Sequence, residues 1–343
     1  MQPVAVRILH PAPGAAAGPL ERALAAARLA NAEQLTGVFR AAGAEDVRIE
    51  TGAAARSFGE RLRHLVNALP PRVGIVVLGS GAIPLATGRD VADLLEAARS
   101  GERRALANSF YSADVIAVGA ASALASVPDL VTDNALPRWL ADDAGFDVGD
   151  LGRRWRLAVD LDSPLDVLLT GRSAPGIGSE PVADRLPRIR AVAADRRAEL
   201  VVAGRTSSST LRWIERSSAS RTRALVEERG LRTIGHGQRP PRSVLGMVLD
   251  DRGPDALGSV LAELGDAAIV DTRVLLAHRL GADERRWPTA EDRFGSDLLL
   301  PDGVRDPWLR AITASARDSA IPVLLGGHTL VGPGARLALR APR

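Results

Sequence analysis

Two aspartates, Asp160 and Asp162, stand two residues apart at the end of the apolar segment WRLAVDLD. The segment predicts a strand, and residues two apart on a strand point to the same face. Two carboxylates at the carboxyl end of a strand could hold a Mg²⁺ ion that bridges the phosphates of a nucleotide. A structural interpretation competes with this one. In it, Asp162 is the N-cap of a helix that begins with Ser163 and Pro164, and Asp160 pairs with an arginine.

A second set of polar residues lies in the later part of the chain. The string AGRTSSSTLRW predicts a strand that runs into a helix, with Arg205, Thr206 and Ser207 at the hydroxyl-rich junction. This arrangement favours an anion, although an ordinary serine N-cap accounts for it equally well. His328 follows an apolar strand and two glycines, and Asp271 could face it. The alternative for this histidine is a structural role on a loop.

The composition excludes several kinds of chemistry. The chain has no cysteine, and its basic residues other than histidine are all arginines. Disulfides, thiolate zinc sites, cysteine nucleophiles, Schiff bases and the lysine of a P-loop are therefore absent. The formal net charge at pH 7 is only +3 and aromatic residues make up 3% of the chain, so a nucleic-acid partner is not expected.

Strands and helices alternate along the whole sequence, which predicts an α/β protein with mainly parallel sheets sandwiched by helices. The predicted strands of the first half are VAVRIL, DVRIE, VGIVVLG, ADVIAVGA and WRLAVDLD. Those of the second half are AELVVAGRT, SVLGMVLD, DAAIVDTRVLL and IPVLLGG. The length predicts two domains, and a segment rich in proline and glycine suggests a linker at 173–184 between domains at 1–172 and 185–343.

The first of these domains resembles the GT-A-like nucleotidyltransferases, in particular the 2-phospho-lactate and molybdenum-cofactor guanylyltransferases. Two strings carry the resemblance. Residues 57–98 have a short helix, a buried strand, a turn and a Pro-Leu-x-Thr helix start in the family's order. Residues 132–169 have a TDNAL segment and a DLDSP turn where the family ends its domain. The resemblance covers residues 1–172 and implies a GT-A/Rossmann-like fold.

The same resemblance implies a transferase that uses a nucleoside triphosphate or a nucleotide sugar on a small acceptor. It places Mg²⁺ on Asp160 and Asp162. The residues that it assigns to the nucleotide are His10, Gly14, Arg22, Ser80, Gly81, Asp133 and Asn134. His10 could instead cap its turn, and the TDNAL segment could simply cap a helix.

The sequence departs from the family at two points. The loop HPAPGAAAGPLER lacks the lysine that binds the triphosphate, so that Arg22 or Arg28 would have to replace it. After the third strand, Gly81 or Ala82 stands where the family has a metal-binding aspartate. A second hypothesis follows, in which a catalytically degenerate GT-A domain serves as a ligand-binding or assembly module.

The surroundings of the protein are predicted from absent signals. No apolar run approaches the length of a membrane span, and the first residues do not read as a secretory signal. A cytoplasmic protein without a membrane partner is therefore expected. The sequence leaves the acceptor, the base and homo-oligomerisation open.

Overall fold

The computed structural model describes residues 2–51, 57–228 and 240–340. The chain forms two compact units, and both combine helices with a mostly parallel sheet. The first unit comprises Met1–Ala15 and Ala25–Leu161, and the second comprises Ala16–Leu24 and Asp162–Arg343. The predicted α/β class is confirmed at this level. No helix of the described ranges is long and apolar enough to cross a membrane.

The described elements of the first part of the chain include four of the predicted strands and two strands, Arg104–Ala107 and Asp147–Asp150, that were not predicted. The strands are β1 (Val4–Leu9), β2 (Asp46–Glu50), β3 (Gly74–Gly79), β4 (Arg104–Ala107), β5 (Val115–Val118) and β6 (Asp147–Asp150). The helices are α1 (Pro19–Ala41), α2 (Phe58–Asn67), α3 (Gly88–Arg99) and α4 (Leu136–Asp142). Pro19 and Pro137 stand in the first turns of α1 and α4, where a missing N–H costs no hydrogen bond.

The six strands form one sheet in the order β2-β1-β3-β5-β4-β6. β1 is parallel to β2 and to β3, and β4 is parallel to β6. β5 runs antiparallel to both of its neighbours, β3 and β4. The three apolar strands β1, β3 and β5 are therefore adjacent at the centre, and the reversal of β5 makes the sheet mixed.

Apolar side chains cover both faces of this sheet. On β3, Val76 and Leu78 belong to one apolar cluster and Ile75 and Val77 to another, because successive residues of a strand face opposite sides. Helices α1 and α3 contribute to the first cluster, and helices α2 and α4 to the second. This double cover explains why the central strands, apart from Arg7 of β1, are apolar throughout instead of alternating.

The second unit contains a four-stranded, fully parallel sheet in the order β10-β9-β7-β8. Its strands are β7 (Glu199–Gly204), β8 (Arg221–Val226), β9 (Ala267–Asp271) and β10 (Val323–Gly326). Its helices are α5 (Pro164–Leu169), α6 (Glu180–Ala194), α7 (Ser208–Ser217), α8 (Val244–Arg252), α9 (Leu257–Leu264), α10 (Thr272–Leu280), α11 (Ala290–Asp297), α12 (Pro307–Arg317), α13 (His328–Val331) and α14 (Ala335–Leu339).

One predicted strand of the second unit is wrong and another is too long, and in both cases a helix cap is the reason. The segment SVLGMVLD forms α8, because the Ser243 hydroxyl accepts the Gly246 N–H at 2.9 Å as an N-cap. The segment DAAIVDTRVLL is a strand only to Asp271. The Asp271 carboxylate accepts the Arg273 N–H at 3.0 Å and begins α10.

The predicted strand WRLAVDLD is also wrong. Residues Trp155–Ala158 form a 3-10 turn, in which the Leu157 N–H bonds back to the Arg154 carbonyl. The buried Asn108 Nδ2 donates to the Leu157 carbonyl at 2.8 Å, a bond from a side chain in place of a strand partner. The sheet-like pairing of this segment among the described residues is an isolated antiparallel bridge between Asp160 and Ala82.

The division between the units lies at Leu161/Asp162, whereas the sequence places a linker at 173–184. The difference has a packing reason, because Leu165 and Leu169 of α5 belong to the core of the second unit. The segment Ala16–Leu24 also counts with the second unit. There the Glu291 carboxylate accepts the N–H groups of Leu20 and Glu21 at the start of α1.

Candidate ligand sites at two strand reversals

In each sheet the strand order reverses at one point, and such points are where open α/β sheets bind ligands beyond the carboxyl ends of the strands. In the first unit, β2 lies on one side of β1, whereas β3, β5 and β4 lie on the other side of it. The reversal therefore lies between β1 and β3. In the second unit the reversal lies between β7 and β9. We refer to the residues that follow these strand ends as the β1/β3 edge and the β7/β9 edge.

At the β1/β3 edge, His10 follows β1 and Ser80 follows β3, and the two side chains meet. The His10 Nδ1 atom lies 3.0 Å from the Ser80 Oγ, and both residues are buried. The strand ends are also tied together by their backbones, since the Ser80 N–H bonds the Leu9 carbonyl at 2.9 Å. Two residues that the sequence assigns to a nucleotide are thus neighbours.

Asn31 of α1 fixes the turn that follows β3. Its amide nitrogen donates to the carbonyls of Ser80 and Ala82, at 2.8 and 3.1 Å. The Asn31 side chain is fully buried, and its Oδ1 atom has no hydrogen-bond partner among the described residues. The turn continues into Ile83, which adopts a left-handed φ of 45°. A buried acceptor and a strained turn at one strand end are features of functional sites.

Arg28 of α1 and Asp160 both approach this turn at Gly81. A Cβ atom on Gly81 would lie 3.1 Å from the Arg28 Nε and 2.7 Å from the Asp160 Oδ1. The Arg28 Nε donates to the Leu161 carbonyl at 2.6 Å, and the Leu161 N–H bonds the Gly81 carbonyl at 3.1 Å. Only glycine leaves room for both groups here, so Gly81 has a packing reason.

The charge of Arg28 also reaches His10. Burial, followed by the positive charge of Arg28, lowers the pKa of His10 from its ordinary value. A lowered pKa leaves the imidazole neutral at pH 7, able to donate through one ring nitrogen and accept through the other. The β1/β3 edge therefore combines a guanidinium with neutral hydrogen-bonding groups.

The remaining predicted nucleotide residues lie elsewhere along the chain. Gly14 is exposed in the loop after β1, and Arg22 is exposed and belongs to the second unit. Asp133 and Asn134 lie in a 3-10 turn before α4. Thr132 occupies the N-cap position of this turn but makes no side-chain capping bond.

The two predicted metal ligands fall in different units. Asp160 belongs to the first unit, and its Oδ1 accepts the Leu161 N–H at 2.8 Å. Asp162 belongs to the second, is exposed, and donates its N–H to Asp166 at 3.0 Å. The N-cap of α5 is Ser163, one residue later than the structural interpretation places it. Among the described residues, no three histidine, aspartate or glutamate side chains converge as a metal site requires.

At the β7/β9 edge, the strand ends carry the polar residues that the sequence singles out. Arg205 follows β7 and lies 3.9 Å from the Glu228 carboxylate. Ser207 caps α7, and its hydroxyl accepts the Thr210 N–H at 3.2 Å. The Thr206 hydroxyl oxygen is buried and has no hydrogen-bond partner in the described ranges. The serine-rich junction therefore contains an ordinary helix cap with an arginine beside it.

Asp271 and His328 stand at the same edge of the second sheet. Asp271 pairs in register with Gly326, the last residue of β10, and His328 follows two residues later as the first residue of α13. The Asp271 side chain is buried and caps α10. His328 is half-buried against Gly332. Its Cε1 and Nε2 atoms would lie 3.6 Å from a Cβ atom at Gly332.

A buried charged cluster that sequence reasoning missed comprises Arg273 in the first turn of α10, Asp297 of α11 and Asp166 of α5. Arg273 binds Asp297 of α11 through both guanidinium nitrogens, with 2.6 Å between Nη2 and Oδ2, and its Nη1 bonds the Thr272 hydroxyl at 2.8 Å. Burial opposes the charge of Arg273, but the Asp297 carboxylate outweighs it and raises the pKa of the guanidinium. The partners are 24 residues apart on different helices, so no local pattern signals them.

Asp166 belongs to this cluster because its carboxyl group interacts with Asp297 and Arg273. Its Oδ2 accepts the N–H and hydroxyl of Ser163, at 2.7 and 2.9 Å, which completes a capping box for α5. Burial, followed by the negative charges of Asp162 and Asp297, raises the pKa of Asp166 to about 8. Asp166 is therefore mostly a neutral acid at pH 7. The S-x-x-D spacing signals the capping box, although it does not signal the burial.

Gly204, the last residue of β7, lies where β7 and β9 approach each other closely. Its φ is 132°, and a Cβ atom there would lie 2.3 Å from the Asp271 Cβ. We expect Gly204→Ala to lower the free energy of unfolding by about 2 kcal/mol, through backbone strain and overpacking. Urea unfolding measures the loss. Gly178→Ala is the control, because no atom lies within 4 Å of its added methyl group, and an equal effect of both substitutions would contradict the argument.

A scan with models of protein families finds no match to the chain. A search of curated proteins finds no significant match either.

Proposed function

We propose that the first unit is a GT-A-like module that binds a nucleotide or a nucleotide sugar at the β1/β3 edge, without metal-dependent group transfer. One observation carries the proposal, namely the convergence of His10, Ser80 and Arg28 where the strand order reverses. This is where a parallel α/β sheet offers its strand ends and loops to a ligand.

The chemistry of these residues suits a ligand with a phosphate and a polar sugar or base. Arg28 supplies the cation, and a guanidinium pairs well with phosphate oxygens. The neutral His10 ring and the Ser80 hydroxyl supply one donor and one acceptor each for hydroxyl or base groups. Asn31 holds the turn between them through two carbonyls. In a chain without lysine, phosphate affinity rests on such arginines and on backbone amides.

The contacts of Asp160 argue against a Mg²⁺ site built on Asp160 and Asp162. The Asp160 Oδ1 already accepts a backbone N–H, and the Arg28 Nε approaches the same point at Gly81. A guanidinium beside a carboxylate competes with a divalent cation for it. These contacts weaken the case for a metal at Asp160, and the proposed binding mode needs none.

Binding measurements on the whole chain test the proposal. We expect calorimetry to detect at least one ligand among the four ribonucleoside triphosphates and UDP-glucose, with similar affinity in Mg²⁺ and in EDTA. Arg28→Met should weaken that binding by about 10- to 100-fold, since a charge-assisted hydrogen bond contributes about 1.5–3 kcal/mol. Arg28→Lys, which keeps the charge, should lose less.

Arg89→Met is the matched control, because Arg89 is exposed on α3 and its replacement removes the same charge. Equal affinity of the Arg28→Met and Arg89→Met variants would rule out the role of Arg28. Failure of the unmodified protein to bind any of these ligands would reject the nucleotide proposal altogether. Binding that disappears in EDTA and in the Asp160→Asn, Asp162→Asn double variant would instead support a metal-dependent transferase.

A further inference from the structure

Strand β8 forms one edge of the second sheet. In the described part of the chain it pairs only with β7. The Arg221 N–H bonds the Ala198 carbonyl and the Glu227 N–H bonds the Gly204 carbonyl, both at 3.0 Å. Because successive residues of a strand direct their N–H and C=O groups to opposite sides, the odd-numbered residues of β8 bond to β7. The even-numbered residues therefore direct theirs to the open edge.

This edge carries charges at Arg221 and Arg223, but it has neither of two other features that usually prevent strand pairing, a proline or a bulge. The sequence RTRALV contains no proline, and its pairing with β7 is regular from Arg221 to Val226. The strand is exposed over most of its length, and the Val226 side chain is 56% exposed. Two more exposed apolar residues, Val244 and Met247 of α8, lie near the end of the strand. The Glu227 carboxylate ties them there by accepting the Val244 N–H at 2.6 Å.

We propose that β8 pairs with β8 of a second copy of this chain, antiparallel and across a two-fold axis. A two-fold axis perpendicular to the sheet keeps each side chain on its own face, so that only residues of like parity can stand opposite each other. The register that uses the outward groups of Thr222, Ala224 and Val226 on both copies is centred on Ala224. It places Ala224 opposite itself and Thr222 opposite Val226 of the second copy.

The charges along the strand favour the same partner. The segment from Arg221 to Glu228 is basic at its beginning and acidic at its end, with an apolar middle. In the register centred on Ala224, Arg221 stands opposite Glu227 of the second copy, and Arg221 of the second copy stands opposite Glu227 of the first. Opposite charges that face each other across two strands attract, whereas parallel pairing of the two copies would align like charges. A second copy in the antiparallel direction is therefore complementary in charge.

Cysteine cross-linking tests the register, because the chain has no cysteine of its own. Residues opposite each other in a hydrogen-bonded antiparallel pair have Cα atoms about 5.5 Å apart, which a disulfide can span. We expect Ala224→Cys to form a disulfide dimer with oxidised glutathione at least tenfold faster than Ala26→Cys. Ala26 is exposed on α1, which makes it the matched control.

Sedimentation equilibrium tests the association itself. The unmodified chain should dimerise, and Ala224→Pro should weaken the dimer at least tenfold, because the outward N–H is lost while the ladder to β7 remains. Arg221→Glu should weaken it too, and this variant decides the matter if circular dichroism shows that Ala224→Pro is unfolded. A chain that stays monomeric, a dimer that both variants leave unchanged, or cross-linking no faster at residue 224 than at residue 26 would overturn the proposal.

Discussion

Asp297→Ala should destabilise the second unit by about 3–5 kcal/mol, the largest single effect that we expect in this chain. The substitution leaves the Arg273 guanidinium buried without the carboxylate that binds both of its terminal nitrogens. Asp297 is fully buried, and Arg273 is 9% exposed. Water therefore cannot replace the lost partner without opening the core. We expect most of the desolvation cost of the charge to appear as a loss of stability.

Amide hydrogen exchange in β9 and β10 measures this loss within the second unit. Asp302→Ala is the control, because it removes the same charge from an exposed position. Replacing both partners, with Asp297→Ala and Arg273→Met together, should recover part of the stability because no unpaired charge remains. A loss below about 1 kcal/mol for Asp297→Ala alone would show that the pair is not buried in solution.

The second large effect is a fall in the stability of the second unit between about pH 4 and pH 8, caused by Asp166. Its folded pKa of about 8 lies above the ordinary value of 3.8, because burial and then the charges of Asp162 and Asp297 disfavour ionisation. In this window the folded chain holds a proton that the unfolded chain has released. Stability is fully present below the unfolded pKa, and it is lost as the pH rises to the folded pKa, by up to about 1.4 kcal/mol per pH unit.

Asp166→Asn should flatten this dependence, since asparagine keeps an acceptor for Ser163 and cannot ionise. At pH 8 to 9 we therefore expect the variant to be more stable than the unmodified chain, and at pH 5 to be similar. The comparison is made at equal pH by urea unfolding, so that the titration of other groups cancels. Asp162→Asn should produce a smaller change of the same sign, because one of the two neighbouring negative charges is removed. Parallel pH profiles for the unmodified and Asp166→Asn chains would contradict the argument.

The central strands could be predicted because long apolar runs leave few alternatives. VAVRIL and GIVVLG are strands of the expected length, and both are buried on both faces of the sheet. The helical stretch after the first strand is α1. Where sequence reasoning failed, short-range apolar patterns competed with helix caps. Ser243 and Asp271 each begin a helix inside an apolar segment, and periodicity alone does not distinguish a short buried helix from a strand.

The candidate sites could be predicted only at strand ends. His10, Ser80 and Gly81 follow β1 and β3, and topology then brings them together. Asn31 contributes from the middle of a long helix, where a polar residue in an apolar stripe is a weak signal that sequence reasoning did not use. Asp297 gives no signal at all, because its partner is set by tertiary packing. The strand assumed for Asp160 and Asp162 is wrong because Trp155–Ala158 form a 3-10 turn, in which the Leu157 carbonyl accepts a bond from a buried asparagine amide.

The path of the chain through its two units restricts how such a gene could have been assembled. The chain passes from one unit to the other at Ala15/Ala16, at Leu24/Ala25 and at Leu161/Asp162. A break at any single position therefore leaves one unit without a segment that packs in it. A break within residues 173–184 would leave Ala16–Leu24 and the α5 helix on the wrong fragment. Recombination that exchanged either unit as a cassette would have to preserve all three junctions, so we expect the two units to be inherited together.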